Sequence, residues 1–74
     1  MPYSGRELVN LLEKFGFVFV RQKGSHIVMQ KTINKNKNTV VVPDHKEIKK
    51  GTLNSIIRKS TLDKEIFTKK VNQV

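Results

Sequence analysis

The chain has 74 residues, which fits one small domain and excludes doubly wound nucleotide-binding folds, barrel enzymes and deep closed active sites. It carries 15 lysines and arginines against 6 acidic residues, and the resulting charge of +9 makes a polyanion the expected partner. Cysteine is absent, which excludes disulfides and thiolate chemistry. The apolar runs are too short to span a membrane, and the N-terminal residues lack the apolar stretch of a signal peptide. We therefore expect a single cytoplasmic domain over residues 1–74 with no membrane contact.

The first predicted element is a helix over residues 4–15. Ser4 and Glu7 have the spacing of a capping box, in which each side chain bonds the backbone amide of the other residue. Gly16 follows at a position where a left-handed C-terminal cap suits glycine. An apolar stripe at helical spacing is predicted to face the core, and it consists of Leu8, Leu11, Leu12 and Phe15.

Three β-strands are predicted next. Aromatic and β-branched residues in segments 17–20 and 27–29 flank a turn at Gly24-Ser25, and residues 39–42 form a third strand that ends at Pro43. The polar stretch 34–38 is predicted to be a long, mobile hairpin tip. On a two-residue period, one set of side chains shares the core face, namely Phe17, Phe19, Ile27 and Met29.

The C-terminal part reads as a loop followed by two helices. Leu53, Ile56 and Ile57 recur at helical spacing, and residues 60–61 interrupt the pattern. Asp63 can cap a last short helix that carries Ile66, Phe67 and Val71. The order is therefore α-β-β-β-α with a small extra helix, an α+β fold in which helices cover one face of a three-stranded antiparallel sheet and the other face stays open.

The distribution of charge is uneven. Residues 14–43, the predicted sheet, contain six basic residues and no acidic one. This distribution predicts a positive electrostatic potential on the open face and contacts with a phosphate backbone. A lysine-rich surface that only maintains solubility is the alternative. Tyr3 is the one aromatic side chain expected to be exposed, so base stacking on aromatic rings is weakly supported.

Two histidines are the candidates for chemistry. The two-residue period turns His26 to the open face, close to Arg21 and Lys23 in the hairpin. A neutral imidazole can accept a proton, and cations beside it can stabilise charge on a phosphate. A lone surface histidine is more often without function, so the pattern leaves both interpretations open. His45 is either a second acid–base or phosphate-binding group or, as the favoured interpretation, a loop residue.

The sequence resembles the HicA (YcfA-like) family of type II toxins. The most specific combination is Gly16-Phe17, then the stretch Arg-Gln-Lys-Gly-Ser-His at residues 21–26, then Gly-Thr-Leu at residues 51–53. The matching positions are residues 4–8, 11–12, 16–17, 20–26, 42–43, 45, 47–48, 50–53, 56, 58–59 and 62. The resemblance implies a fold like that of double-stranded-RNA-binding domains, cleavage of mRNA without a metal, a catalytic His26, and neutralisation by a HicB antitoxin.

These expectations define the predicted site and its partners. Beside His26, the residues predicted to bind RNA are Arg21, Lys23, Ser25 and Lys31. No cofactor is expected, and no metal either, because Asp44, His45 and Glu47 lack a third imidazole or a cysteine. The partners are mRNA and a HicB-type antitoxin that masks His26, and the toxin is expected to be monomeric within a larger assembly. A non-catalytic RNA-binding module and a domain that docks an acidic protein are the alternatives.

Overall fold

The computed structural model describes residues 3–68. Its elements are α1 (Gly5–Lys14), β1 (Val18–Lys23), β2 (His26–Ile33), β3 (Asn36–Pro43), α2 (Lys50–Ser60) and α3 (Lys64–Thr68). The α+β class, the three-stranded antiparallel sheet and the short C-terminal helix are thus confirmed. The predicted contribution of Val71 lies outside the described residues. None of the helices among residues 3–68 has the length and apolar character to cross a membrane.

Helix α1 begins and ends as its local sequence predicts. The Ser4 hydroxyl accepts a bond of 3.0 Å from the Glu7 amide, and the Glu7 carboxylate accepts one of 2.9 Å from the Ser4 amide. Leu8 and Leu12 are fully buried. The prediction that Phe15 joins this stripe is wrong: Phe15 is the C-terminal cap, where the chain has already left helical geometry, and its ring is exposed.

Strands β2 and β3 form a regular hairpin. All eight residues of β2 pair with β3, from His26 opposite Pro43 to Ile33 opposite Asn36. The connection is a two-residue turn in which Asn34 and Lys35 have φ of 48° and 72°. Turns with two left-handed residues match the twist of a hairpin, and asparagine tolerates that conformation. The predicted long tip is therefore wrong, because residues 36–38 belong to β3.

The β1–β2 hairpin turns at Gly24-Ser25, as predicted, with Gly24 at φ 58°. The register shifts between Phe19 and Arg21, which is a β-bulge at Val20. Phe19 pairs with the buried Met29 and so lies on the helix-covered face, yet its ring is half exposed. The predicted face of Phe19 is thus confirmed, and the ring is nevertheless half exposed because β1 lies at the edge of the sheet.

The core lies between the sheet and the helices. Its buried members are Tyr3, Leu8, Leu12, Phe17, Ile27, Met29, Val40, Val42, Ile48, Ile56 and Phe67. The expectation that Tyr3 is exposed is wrong. The Tyr3 hydroxyl donates to the carbonyl of Phe67, and the two rings meet edge to face at 6.4 Å between centroids. Burial raises the pKa of the Tyr3 phenol. This contact fastens α3 to the start of the chain.

Candidate functional site at the β1–β2 turn

His26 lies on the open face of the sheet, at the first position of β2. Lys23 of β1 and Pro43 of β3 are its two cross-strand neighbours, and its side chain is exposed. Side chains directly opposite in an antiparallel pair share one face, with their Cβ atoms about 4.5–5.5 Å apart. Arg21 pairs with Val28, the next residue of β2 on that face. The predicted group of His26, Lys23 and Arg21 is thus brought together.

The turn before His26 is held from outside the hairpin by Asp44, the first residue after β3. The Asp44 amide donates a bond of 2.6 Å to the carbonyl of Ser25. The side-chain amide of Gln22 donates to the Gly24 carbonyl at 3.0 Å and to Asp44 Oδ2 at 3.3 Å. The turn therefore accepts two bonds besides the strand ladder, and a third bond joins their donors, Gln22 and Asp44, so that the backbone leading into His26 is held in place.

Arg6 of α1 completes this network. Its Nε donates to Asp44 Oδ1 at 3.1 Å, and its Nη2 donates to Asp44 Oδ2 at 3.2 Å, a two-pronged arrangement that suits a carboxylate. The bond from Arg6 is the largest cause of an Asp44 pKa below its ordinary value. The Arg6–Asp44–Gln22 network was missed by the sequence interpretation, because its members are far apart in the chain and only their complementary charges could have indicated it.

Gly5 lets α1 approach β3 this closely. The Gly5 amide donates a bond of 2.8 Å to the carbonyl of His45. A Cβ on Gly5 would lie 2.0 Å from the carbonyl oxygen of Pro43, which no side chain can occupy. The glycine next to the helix cap is therefore required by close backbone contact and not by its φ angle.

The two remaining predicted positions have different surroundings. His45 is exposed, and its backbone carbonyl accepts the bond from the Gly5 amide. Lys31 lies at the other end of β2, about 17 Å from His26 at the usual rise per residue. Its Nζ donates a bond of 2.7 Å to the carbonyl of Phe15 and so caps the C-terminus of α1. The structure does not bring Lys31 together with His26.

The open face is not uniformly basic. Pairing sets Val18, Val28 and Val41 on the same face as His26, and Val18 and Val41 are exposed. The basic residues of this face therefore lie at its two ends, with Arg21 and Lys23 beside His26 at one end and Lys37, opposite Thr32, at the other, and the centre between them is apolar. Among residues 3–68, no three histidine and acidic side chains are grouped so that they could hold a metal ion.

The fold and the site define a small, basic α+β protein whose imidazole stands open beside cations at one end of a sheet. A family model described as the HicA toxin of bacterial toxin-antitoxin matches residues 5–62 of the 74. The chain therefore belongs to the HicA toxin family, whose members act as the toxin of a toxin–antitoxin pair. The matched range includes Arg6, Gln22, His26 and Asp44. No curated protein matches the chain.

Proposed function

We propose that this chain is an endoribonuclease toxin that cleaves mRNA without a metal and that uses His26 as its general base. The observation that carries the proposal is the position of His26: its imidazole is exposed on an uncovered sheet face, with Lys23 directly across the hairpin. Membership of a toxin family supports the same interpretation.

The proposed reaction uses the substrate's own ribose. Neutral His26 takes the proton of a 2′-hydroxyl, and the 2′-oxygen forms a bond to the adjacent phosphorus. The bond from phosphorus to the 5′-oxygen breaks, and that oxygen takes a proton from water. The products are a 2′,3′-cyclic phosphate and a 5′-hydroxyl. A nucleophile supplied by the ribose restricts the reaction to RNA and needs no metal-activated water.

The cations beside His26 have two proposed roles. Lys23 and Arg21 attract the RNA backbone, and they stabilise the extra negative charge on the pentacoordinate phosphate. The Ser25 hydroxyl, in the exposed turn, is a further phosphate contact. We assign Lys31 to the cap of α1 in preference to RNA, because its ammonium group already bonds the Phe15 carbonyl.

A HicB-type antitoxin is the proposed inhibitor, and it acts by covering His26 and the Arg21/Lys23 rim with an acidic surface. An open site with few residues has no internal means of being closed, so covering is the simplest form of inhibition. The toxin is proposed to be a monomer within the larger complex. Complementary charge makes the association fast and dependent on salt.

The test compares His26→Ala with His45→Ala on one RNA in the presence of EDTA. Both histidines are exposed and near the same end of the sheet, so the second variant is a matched control. We expect the wild type and His45→Ala to cleave, His26→Ala to bind RNA without cleavage, and both variants to keep the wild-type circular dichroism spectrum.

Two outcomes would change this assignment. Cleavage by His26→Ala at the wild-type rate would contradict the assignment. Binding of RNA by the wild type without any cleavage would instead identify a non-catalytic RNA-binding module.

A further inference from the structure

Strand β1 is exposed along its whole length. All six of its residues are exposed, whereas β2 and β3 each have buried positions. Three consecutive apolar side chains begin the strand, with Val18 60% exposed, Phe19 51% and Val20 41%. Within residues 3–68, β1 pairs with β2 alone, so its second edge presents unpaired backbone groups. An edge strand with these properties is a site for pairing with another chain.

The apolar side chains occupy both faces of this edge. Val18 pairs with Gln30 and lies on the open face, whereas Phe19 pairs with Met29 and lies on the helix-covered face. A partner that rested flat on the open face would leave Phe19 in water. A strand added beside β1 sends alternate side chains to the two faces and covers both residues, while its backbone satisfies the free edge.

The charges next to the β1 edge indicate which kind of partner binds there. Arg21 and Lys23 continue β1, and residues 14–43 contain no acidic side chain. A second copy, also with a charge of +9, would bring like charges together, and the bulge at Val20 interrupts regular self-pairing. RNA bound along the basic face would leave Phe19 uncovered, because Phe19 lies on the opposite face from Arg21 and Lys23. An extended protein segment with apolar and acidic residues satisfies both features.

We propose that the β1 edge receives an extended apolar and acidic segment of the antitoxin as a fourth strand of the sheet. This proposal deepens the inhibition given above and rests on that partner. Neighbouring strands lie about 4.8 Å apart, so the added strand would be about 10 Å from β2. Its acidic residues would face Arg21 and Lys23, and the chain that follows it would cover His26. Docking at the edge thereby positions the part that blocks the site.

The first test measures binding of the chain's own purified antitoxin to Phe19→Lys and to Ile33→Lys. Ile33 is the matched control, because it is 38% exposed and apolar but lies at the far end of β2. We expect Phe19→Lys to weaken antitoxin binding by about tenfold or more, as for a central interface residue, and Ile33→Lys to change it less than twofold. Equal binding by Phe19→Lys and the wild type would overturn the proposal.

Hydrogen exchange provides a second measurement that needs no variant. Antitoxin should slow exchange of the amides of β1 in the wild-type complex, because a new strand bonds its free edge. Unchanged β1 exchange in a saturated complex, or protection of β1 by self-association or by RNA, would overturn the proposal.

RNA cleavage separates this proposal from the proposed function. Phe19 lies on the face opposite His26, so folded Phe19→Lys should cleave RNA at the wild-type rate and should resist inhibition by the antitoxin. If the wild type cleaves no RNA, the nuclease assignment is wrong. If Phe19→Lys still weakens antitoxin binding and the antitoxin still slows amide exchange in β1, the proposed docking edge remains supported.

Discussion

Arg6 and Asp44 form a two-pronged ion pair between residues 38 apart in the chain, with N–O distances of 3.1 and 3.2 Å. The pair joins the first turn of α1 to the residue that holds the Gly24-Ser25 turn. An arginine on another element is therefore linked, through Asp44, to the turn that leads into His26.

The Arg6→Ala variant should lower the kcat of RNA cleavage by about tenfold with little change in KM, because the turn loses its support while Arg21 and Lys23 remain. Amides of the β1–β2 turn should also exchange faster. Arg58→Ala, which removes another exposed arginine on α2, is the control for charge and should leave both readouts unchanged. An Arg6→Ala variant with wild-type kcat and wild-type amide exchange in the turn would show that the ion pair does not position the turn.

The Asp44 carboxyl should make stability fall in acid. Its folded pKa lies below the ordinary value of 3.8, mainly because of the bond from Arg6. At a pH between the folded pKa and 3.8, Asp44 is therefore protonated in more of the unfolded chains than of the folded ones. The ionised carboxylate stabilises the fold above pH 3.8, and this stabilisation is lost as the pH falls through the folded pKa. Urea midpoints measured down to about pH 2 should decline less steeply in Asp44→Asn and Arg6→Ala than in the wild type. If the urea midpoints of the wild type and both variants decline with pH along parallel curves, the Arg6–Asp44 pair is not a source of the acid sensitivity.

Two glycine-to-alanine substitutions should change stability in opposite directions. Gly5→Ala places a methyl group against the Pro43 carbonyl and should destabilise the fold by about 2 kcal/mol or more. Gly51→Ala, in the first turn of α2 with open space at its Cβ, should stabilise by about 0.5 kcal/mol through helix propensity. Urea unfolding of both variants checks the pair. A stable Gly5→Ala protein would mean that α1 does not approach β3 as closely as described.

The salt dependence of RNA binding should identify which cations touch phosphate. Arg21→Ala and Lys23→Ala should each reduce the slope of log K against log salt by about one. Lys31→Ala should leave the slope unchanged, because its ammonium group bonds the Phe15 carbonyl. Titrations at several salt concentrations with an RNA that is not cleaved during the measurement provide the comparison. A reduced slope in Lys31→Ala alone would move the RNA path to the other end of the sheet.

Local features of the sequence predicted the fold well. The Ser4–Glu7 capping box, the Gly24 turn and the Asp63 cap depend on neighbours within a few residues, and each forms as predicted. The placement of His26 on the open face followed from the two-residue period of β2 alone.

Features that depend on distant neighbours were not predictable in this way. Tyr3 is buried because Phe67, 64 residues later, accepts its hydroxyl. Phe19 has the correct face but is half exposed, since sequence alternation does not reveal which strand lies at the edge. The ion pair of Arg6 with Asp44 joins α1 to the end of β3, and no spacing rule connects two such residues.

The tight Asn34-Lys35 turn makes the far end of the β2–β3 hairpin a suitable attachment point for a reporter. Ile33 lies seven residues from His26 along β2, about 24 Å at the usual rise, so a probe at that end stays clear of the candidate site. Lys37 is exposed and lies just outside the two left-handed residues of the turn. Because the chain has no cysteine, Lys37→Cys would introduce a unique thiol for a fluorophore, and association with RNA or antitoxin could be followed by anisotropy in the otherwise unaltered protein.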